Sequence, residues 1–276
     1  MPGAAGRMST VTLTGTAVSA DGTAIAYDRH GSGPAVVLVH GAFAGRGHPT
    51  LAGVAAGLAP WFTVYEYDRR GRGGSGDTSP YAVEREIEDL AAVVGAAGGR
   101  AMVFGGSSGG ALALEAAARL PEVTKLAVWE PPYHVTADAP VLPHDFAARL
   151  DALVREGRRG DAAELFMVAA AEVPREAVAL MRADPSWPEV EAVAHTLAYE
   201  AAVMGPGNAL PAARLAEVTQ PALVMNGDAG PAWMAAAARA VAGRVPGAVH
   251  RVLEGQAHAV APEALLPELL EFFVVA

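Results

Sequence analysis

Cysteine is absent from the 276 residues, so the chain can form neither disulfides nor thiolate metal sites, and its redox compartment is left open. Lysine is almost absent too, Lys125 standing alone, while Asp and Glu outnumber Lys and Arg by 30 to 20 for a formal net charge of −10. Binding a phosphate backbone requires clustered cations, so no nucleic-acid partner is expected. Charged residues make up 18% of the chain and hydrophobic ones 52%. Even so, no apolar run reaches the ~18 residues of a spanning helix, and no membrane partner is expected. Met1 to Ser9 lead into the polar run VTLTGT instead of an apolar stretch and do not read as a secretory leader. The expectation is a soluble, cytoplasmic protein of one or two domains that acts on a small-molecule substrate.

What is present is alternation. Val11 to Val18 and Ala24 to Asp28 flank the turn pair Asp21-Gly22 and predict a β-hairpin. Ala35 to Val39 (AVVLV) is a continuous apolar run, the pattern of a strand buried on both faces of a parallel sheet. Similar runs recur at Phe62 to Tyr67, Ala101 to Phe104, Leu126 to Trp129, Ala222 to Met225 and, more weakly, Ala248 to Leu253. Helical periodicity lies between them at Glu84 to Ala97, Gly110 to Leu120, Ala232 to Ala242 and Pro262 to Phe273. This order predicts an α/β fold, a mostly parallel sheet with helices on both faces. About 90 residues between Trp129 and Ala222 break the alternation. Pro174, Pro185, Pro188, Pro206 and Pro211 divide that interval into helices near 143–158, 160–172, 174–183, 188–203 and 208–216. It reads as a helical cap, residues 131–219, inserted after the sixth strand into a core formed by 1–130 and 220–276.

The segment Phe104-Gly-Gly-Ser107-Ser-Gly-Gly110 stands between a predicted strand and a predicted helix. In a G-x-S-x-G elbow the serine occupies a strained turn, and its neighbours two residues away must be small enough for strand and helix to approach closely. A phosphate loop does not fit, because no Lys follows the glycines and the G-x-G-x-x-G spacing is missing. Two registers satisfy the elbow, Gly105-x-Ser107-x-Gly109 and Gly106-x-Ser108-x-Gly110, and spacing leaves both open. His258 precedes the helix that starts at Pro262, which puts it on a loop at a strand's C-terminal end, where α/β sheets place their sites. Asp68, Arg69, Arg70 and Arg72 crowd around Gly71, Gly73 and Gly74 and read as a tight loop held by its own charges. No cluster of His, Asp and Glu has metal-ligand spacing, so no metal is expected. No other cofactor is called for.

VVLVHGAF at 36–43, YDRRGRGGSGD at 67–77, VFGGSSGGALAL at 103–114 and LEGQAHAVAPE at 253–263 together resemble the α/β-hydrolase fold superfamily, in its capped, serine-nucleophile branch. The resemblance spans nearly the whole chain and implies an eight-stranded sheet. It places the nucleophile at Ser107 and the general base at His258, and draws two oxyanion-hole N–H groups from Ala42 and Ser108. It also exposes a departure: the family's usual acid position, three beyond Gly227, holds Gly230. Two substitutes keep the order nucleophile, acid, histidine. Glu130 directly follows the strand LAVW, at whose end haloalkane dehalogenase-like members carry their acid, and Asp228 lies two positions early on the expected loop. Glu130 is favoured because a strand end holds a carboxylate more rigidly. The bland readings are an ion-pair partner for Glu130 and a turn residue for Asp228.

Dehalogenation and epoxide hydrolysis by the family's usual routes require a carboxylate where Ser107 stands. The pocket residues expected from the cap and its surroundings are Phe43, Tyr133, Phe146, Phe166, Met167, Trp187, His195, Tyr199, Met204 and Trp233. Their apolar character predicts a medium-sized carboxylic ester, lactone or thioester, cleaved through an acyl-enzyme. Two rivals stand beside this reading: a different enzymatic use of the fold, as a lyase, cyclase, C–C bond hydrolase or acyltransferase, and a non-catalytic small-molecule receptor.

Overall fold

A computed structural model describes residues 12–274; Met1 to Ser9 and Val11 lie outside the described residues. The apolar runs form β1 (Leu13–Val18), β2 (Ala24–Gly31), β3 (Ala35–Val39), β4 (Thr63–Tyr67), β5 (Ala101–Gly106), β6 (Val123–Trp129), β7 (Ala222–Gly227) and β8 (Val249–Leu253). They make one eight-stranded sheet in the order β1-β2-β4-β3-β5-β6-β7-β8. β2 is antiparallel to both of its neighbours, and every other pairing is parallel.

The helices, in chain order, begin with α1 (Pro49–Leu58), α2 (Val83–Ala96) and α3 (Ser108–Ala117). Between β6 and β7 come α4 (Phe146–Arg155), α5 (Arg159–Ala169), α6 (Arg175–Arg182), α7 (Trp187–Ala192), α8 (Leu197–Met204) and α9 (Ala212–Leu215). The chain closes with α10 (Ala232–Ala242) and α11 (Pro262–Val274). Among the described residues, no helix is long and apolar enough to cross a membrane.

Because successive side chains of a strand point to opposite faces, the valine-rich runs supply two cores at once. Val37, Val39, Val103, Val128 and Val224 pack on one face against α2, α3 and α10, while Val36, Leu38, Phe104, Trp129 and Met225 pack on the other against α1 and α11. The helices between β6 and β7, the segment read above as a cap, share an apolar cluster centred on Phe146, Leu150, Met167, Val178, Trp187 and Leu197, and Ala42 and Phe43 from the loop after β3 pack against it. The expected single helix at 188–203 is divided: α7 ends at Ala192, a 3₁₀ turn covers Ala194–Thr196, and α8 follows. The Thr196 hydroxyl donates to Val193 O at 2.8 Å and accepts Arg72 Nε–H at 3.1 Å, so the break brings this side chain onto the segment after β4.

Candidate active site

Each element of the site follows the C-terminal end of a parallel strand. β5 runs into Ser107 and α3 leaves at Ser108 with no loop between, which forces Ser107 to φ 57° and ψ −132°. A residue with a Cβ holds such a conformation only when its surroundings impose it. Gly105 and Gly109 let them do so: a Cβ on Gly105 would stand 2.5 Å from the Gly109 carbonyl oxygen, and one on Gly109 would stand 2.5 Å from that of His40. A Cβ on Gly106 would meet nothing within 4 Å. The close approach therefore belongs to the register centred on Ser107.

β6 ends one residue before Glu130, whose N–H donates to Met225 O at 3.0 Å and whose carboxylate is fully buried. Oε1 accepts the Gly227 N–H at 3.0 Å, and Oε2 lies 2.8 Å from His258 Nδ1. A carboxylate only accepts, so Nδ1 carries the hydrogen and Nε2 is left as the acceptor. Ser107 Oγ donates to that Nε2 at 3.1 Å. The indole N–H of Trp129 steadies the histidine loop by donating to His258 O at 3.1 Å. Asp228 has another task, accepting the Gly255 N–H at 2.6 Å from an exposed position. Glu130, and not Asp228, is the carboxylate in contact with His258. This chain of bonds can draw the hydroxyl proton of Ser107 onto His258.

Among the described residues, no protein group accepts the N–H of Ala42 or of Ser108. The Ala42 loop lies against the elbow, since a Cβ on Gly41 would stand 3.1 Å from Ser107 Cβ and from Gly106 O. Above Ser107 and His258 is a cavity of about 660 Å³ between the sheet edge and the cap. Phe43, Phe146 and Phe166 line it as one aromatic group, with ring centroids 5.6 Å apart for Phe43–Phe166 and 6.0 Å for Phe146–Phe166, and Met204 adjoins them. Among the described residues, Glu172 and Glu200 are the acidic ones that line it, and no Lys or Arg side chain does.

Six of the expected pocket residues do not line this cavity. Tyr133 is packed into the sheet-side core, and Met167 and Trp187 belong to the interior of the cap, where the Trp187 indole donates to Glu191 at 3.0 Å. Tyr199 donates to Asp77 at 2.9 Å and stacks on Tyr81, with His195 beside it 3.7 Å from the same carboxylate. Trp233 is buried behind the rim and donates to Glu172 at 2.9 Å. Glu200 was not foreseen. A single carboxylate in the apolar stretch LAYEAAVM is the signal of a buried charge in need of cations, and Arg69 and Arg72 supply them. Burial pushes the Glu200 carboxyl up, but the two guanidiniums outweigh burial and hold it below the usual carboxylate range.

The Alpha/beta hydrolase family profile matches residues 36–266, from β3 into α11, a span that contains Ser107, Glu130 and His258. The chain belongs to the alpha/beta hydrolase family. A solved α/β hydrolase from Sphaerobacter thermophilus is 56% identical, with a TM-score of 0.87 over 94% of this chain and 100% of that one. The uncharacterized hydrolase YraK of Bacillus subtilis is 35% identical over 116 residues, and that match spans 41% of this chain and 42% of YraK, less than half of either. An enol-lactonase from Burkholderia xenovorans, 21% identical with a TM-score of 0.70, shares the fold over 95% of this chain and 100% of its own. The protein is thus an enzyme of a hydrolase family.

Proposed function

We propose that this hydrolase cleaves a medium-sized, largely apolar and uncharged carboxylic ester, lactone or thioester through an acyl-enzyme on Ser107. The observation that carries the reading is the unbroken hydrogen-bonded line from Ser107 through His258 to the buried Glu130, beneath an apolar cavity. Ser107 attacks the carbonyl carbon as His258 takes the hydroxyl proton, and Glu130 holds the imidazole in its tautomer and offsets the imidazolium charge. The N–H groups of Ala42 and Ser108 receive the developing oxyanion. His258 then protonates the leaving alcohol or thiol, removes a proton from water, and the resulting attack frees the acid and restores Ser107.

The lining supports an uncharged substrate. Among the described residues the lining holds Glu172 and Glu200 but no Lys or Arg, so a substrate carboxylate enclosed there would lack a permanent cation to pair with, and an unpaired buried charge is costly. Intact mass spectrometry after exposure to a fluorophosphonate should show one adduct at Ser107, absent from Ser107→Ala. Among p-nitrophenyl esters, a neutral acyl chain should give a kcat/KM at least about tenfold above that of a chain of equal length ending in carboxylate. A folded wild type with neither adduct nor ester turnover would remove the acyl-enzyme reading and leave the non-hydrolytic and receptor readings in its place.

A further inference from the structure

The loop after β3 turns three carbonyls towards two buried arginines. Arg72 Nη1 donates to Gly41 O at 2.6 Å and to Ala44 O at 3.1 Å, and Arg69 Nη1 donates to His40 O at 3.1 Å. Both guanidiniums come from the segment after β4, and they are 3% and 1% exposed, respectively. The rest of the Arg72 fork reaches into the cap, with Nε donating to Thr196 Oγ1 at 3.1 Å and Nη2 to the Glu200 carboxylate. The other oxygen of Glu200 accepts from Arg69 Nη1 at 3.0 Å. One network therefore ties cap helix α8 to the backbone beside the elbow.

The Gly41 carbonyl and the Ala42 N–H belong to a single peptide unit. That unit is planar and trans, so its C=O and N–H point in opposite directions, and whatever holds one aims the other. We propose that Arg72, anchored by Glu200 of the cap, is a positioning residue for hydrolysis: by holding the Gly41 carbonyl it aims the Ala42 N–H at the oxyanion. The inference rests on the acyl-enzyme reading above. A cation on the carbonyl also polarises the peptide and makes its N–H a stronger donor. The role needs arginine, because a planar fork can hold Gly41, Ala44, Thr196 and Glu200 together, whereas a lysine ammonium has no fixed fork to do so.

The test is Arg72→Lys, with turnover of a neutral p-nitrophenyl ester expressed per Ser107 titrated by fluorophosphonate, so that misfolded molecules do not count. The expected result is a kcat lower by about 10²-fold, as when one oxyanion donor is lost, with KM within about threefold of wild type. Affinity for a boronic acid, which becomes tetrahedral on Ser107, should fall in parallel, while competitive inhibition by the product acid stays unchanged. If Arg72→Lys yields no titratable protein, Glu200→Gln is read in the same way, with a kcat loss of about tenfold. A titratable variant whose kcat stays within about twofold, or whose loss lies in KM, overturns the inference alone. A wild type that cannot be titrated at Ser107 overturns the proposed function and this inference with it.

Discussion

A carboxylate can set the tautomer of an imidazole only if it is held still, and the two acidic residues near His258 differ in this respect. Glu130 is enclosed, with one oxygen on the Gly227 N–H and the other on His258 Nδ1, whereas Asp228 is exposed and ties the loop after β7 to Gly255, beyond β8. Glu130→Gln keeps the shape and can keep the Gly227 bond, but its amide no longer imposes the required hydrogen on Nδ1. Turnover should fall by ~10³ to 10⁴, the scale of the comparable Asp to Asn change in a serine protease. Asp228→Asn still accepts from Gly255 and should leave kcat within a few-fold. Steady-state kinetics on one neutral ester checks both, and equal losses would remove Glu130 from its assigned role.

At the scale of elements, the strand-to-helix turn makes its own prediction. A methyl on Gly105 would press into the backbone of Gly109 and Gly110, which cannot move without opening the turn, whereas a methyl on Gly106 meets nothing. Gly105→Ala should cost ~1–3 kcal/mol, or several degrees in thermal unfolding, and Gly106→Ala should leave the midpoint nearly unchanged. Comparable midpoints for the two variants would refute the register. The same element was legible in the sequence because its glycines, its serine and its flanking periodicities all point one way. α1 was not, because Gly53 and Gly57 weaken a helical reading. The fold uses both glycines to admit α11, whose Pro262 and Leu266 sit where their side chains would be. β8 reads weakly because it is an edge strand with Val249 and Val252 exposed. The cap's aromatics could be counted but not assigned. Phe146 and Phe166 line the cavity while Trp187 fills the cap core, a difference set by how short helices pack on one another.

For the whole molecule, folding withdraws several histidines from water, and the loss of hydration outweighs what their neighbours return. His40, His48, His134, His195 and His250 are all held below the ordinary imidazole value, burial being the leading cause in each. His40 is the extreme case: it is fully buried, neither ring nitrogen has a hydrogen-bond partner, and its pKa is pulled down to about 3. In the unfolded chain these groups take up protons near pH 6.5, while the folded chain takes them up only at lower pH. Their contribution to stability is thus fully present above pH 6.5 and is lost as the pH falls, because protons then bind the unfolded state preferentially. For His40 the limiting slope is about 1.4 kcal/mol per pH unit, continuing towards pH 3. Urea unfolding midpoints should therefore fall from pH 7.5 to pH 5, and His40→Phe, which removes the proton site and leaves no orphaned polar group, should make that fall shallower. A variant with the same slope as the wild type, or a wild type that gains stability on acidification, would show that His40 does not carry this linkage.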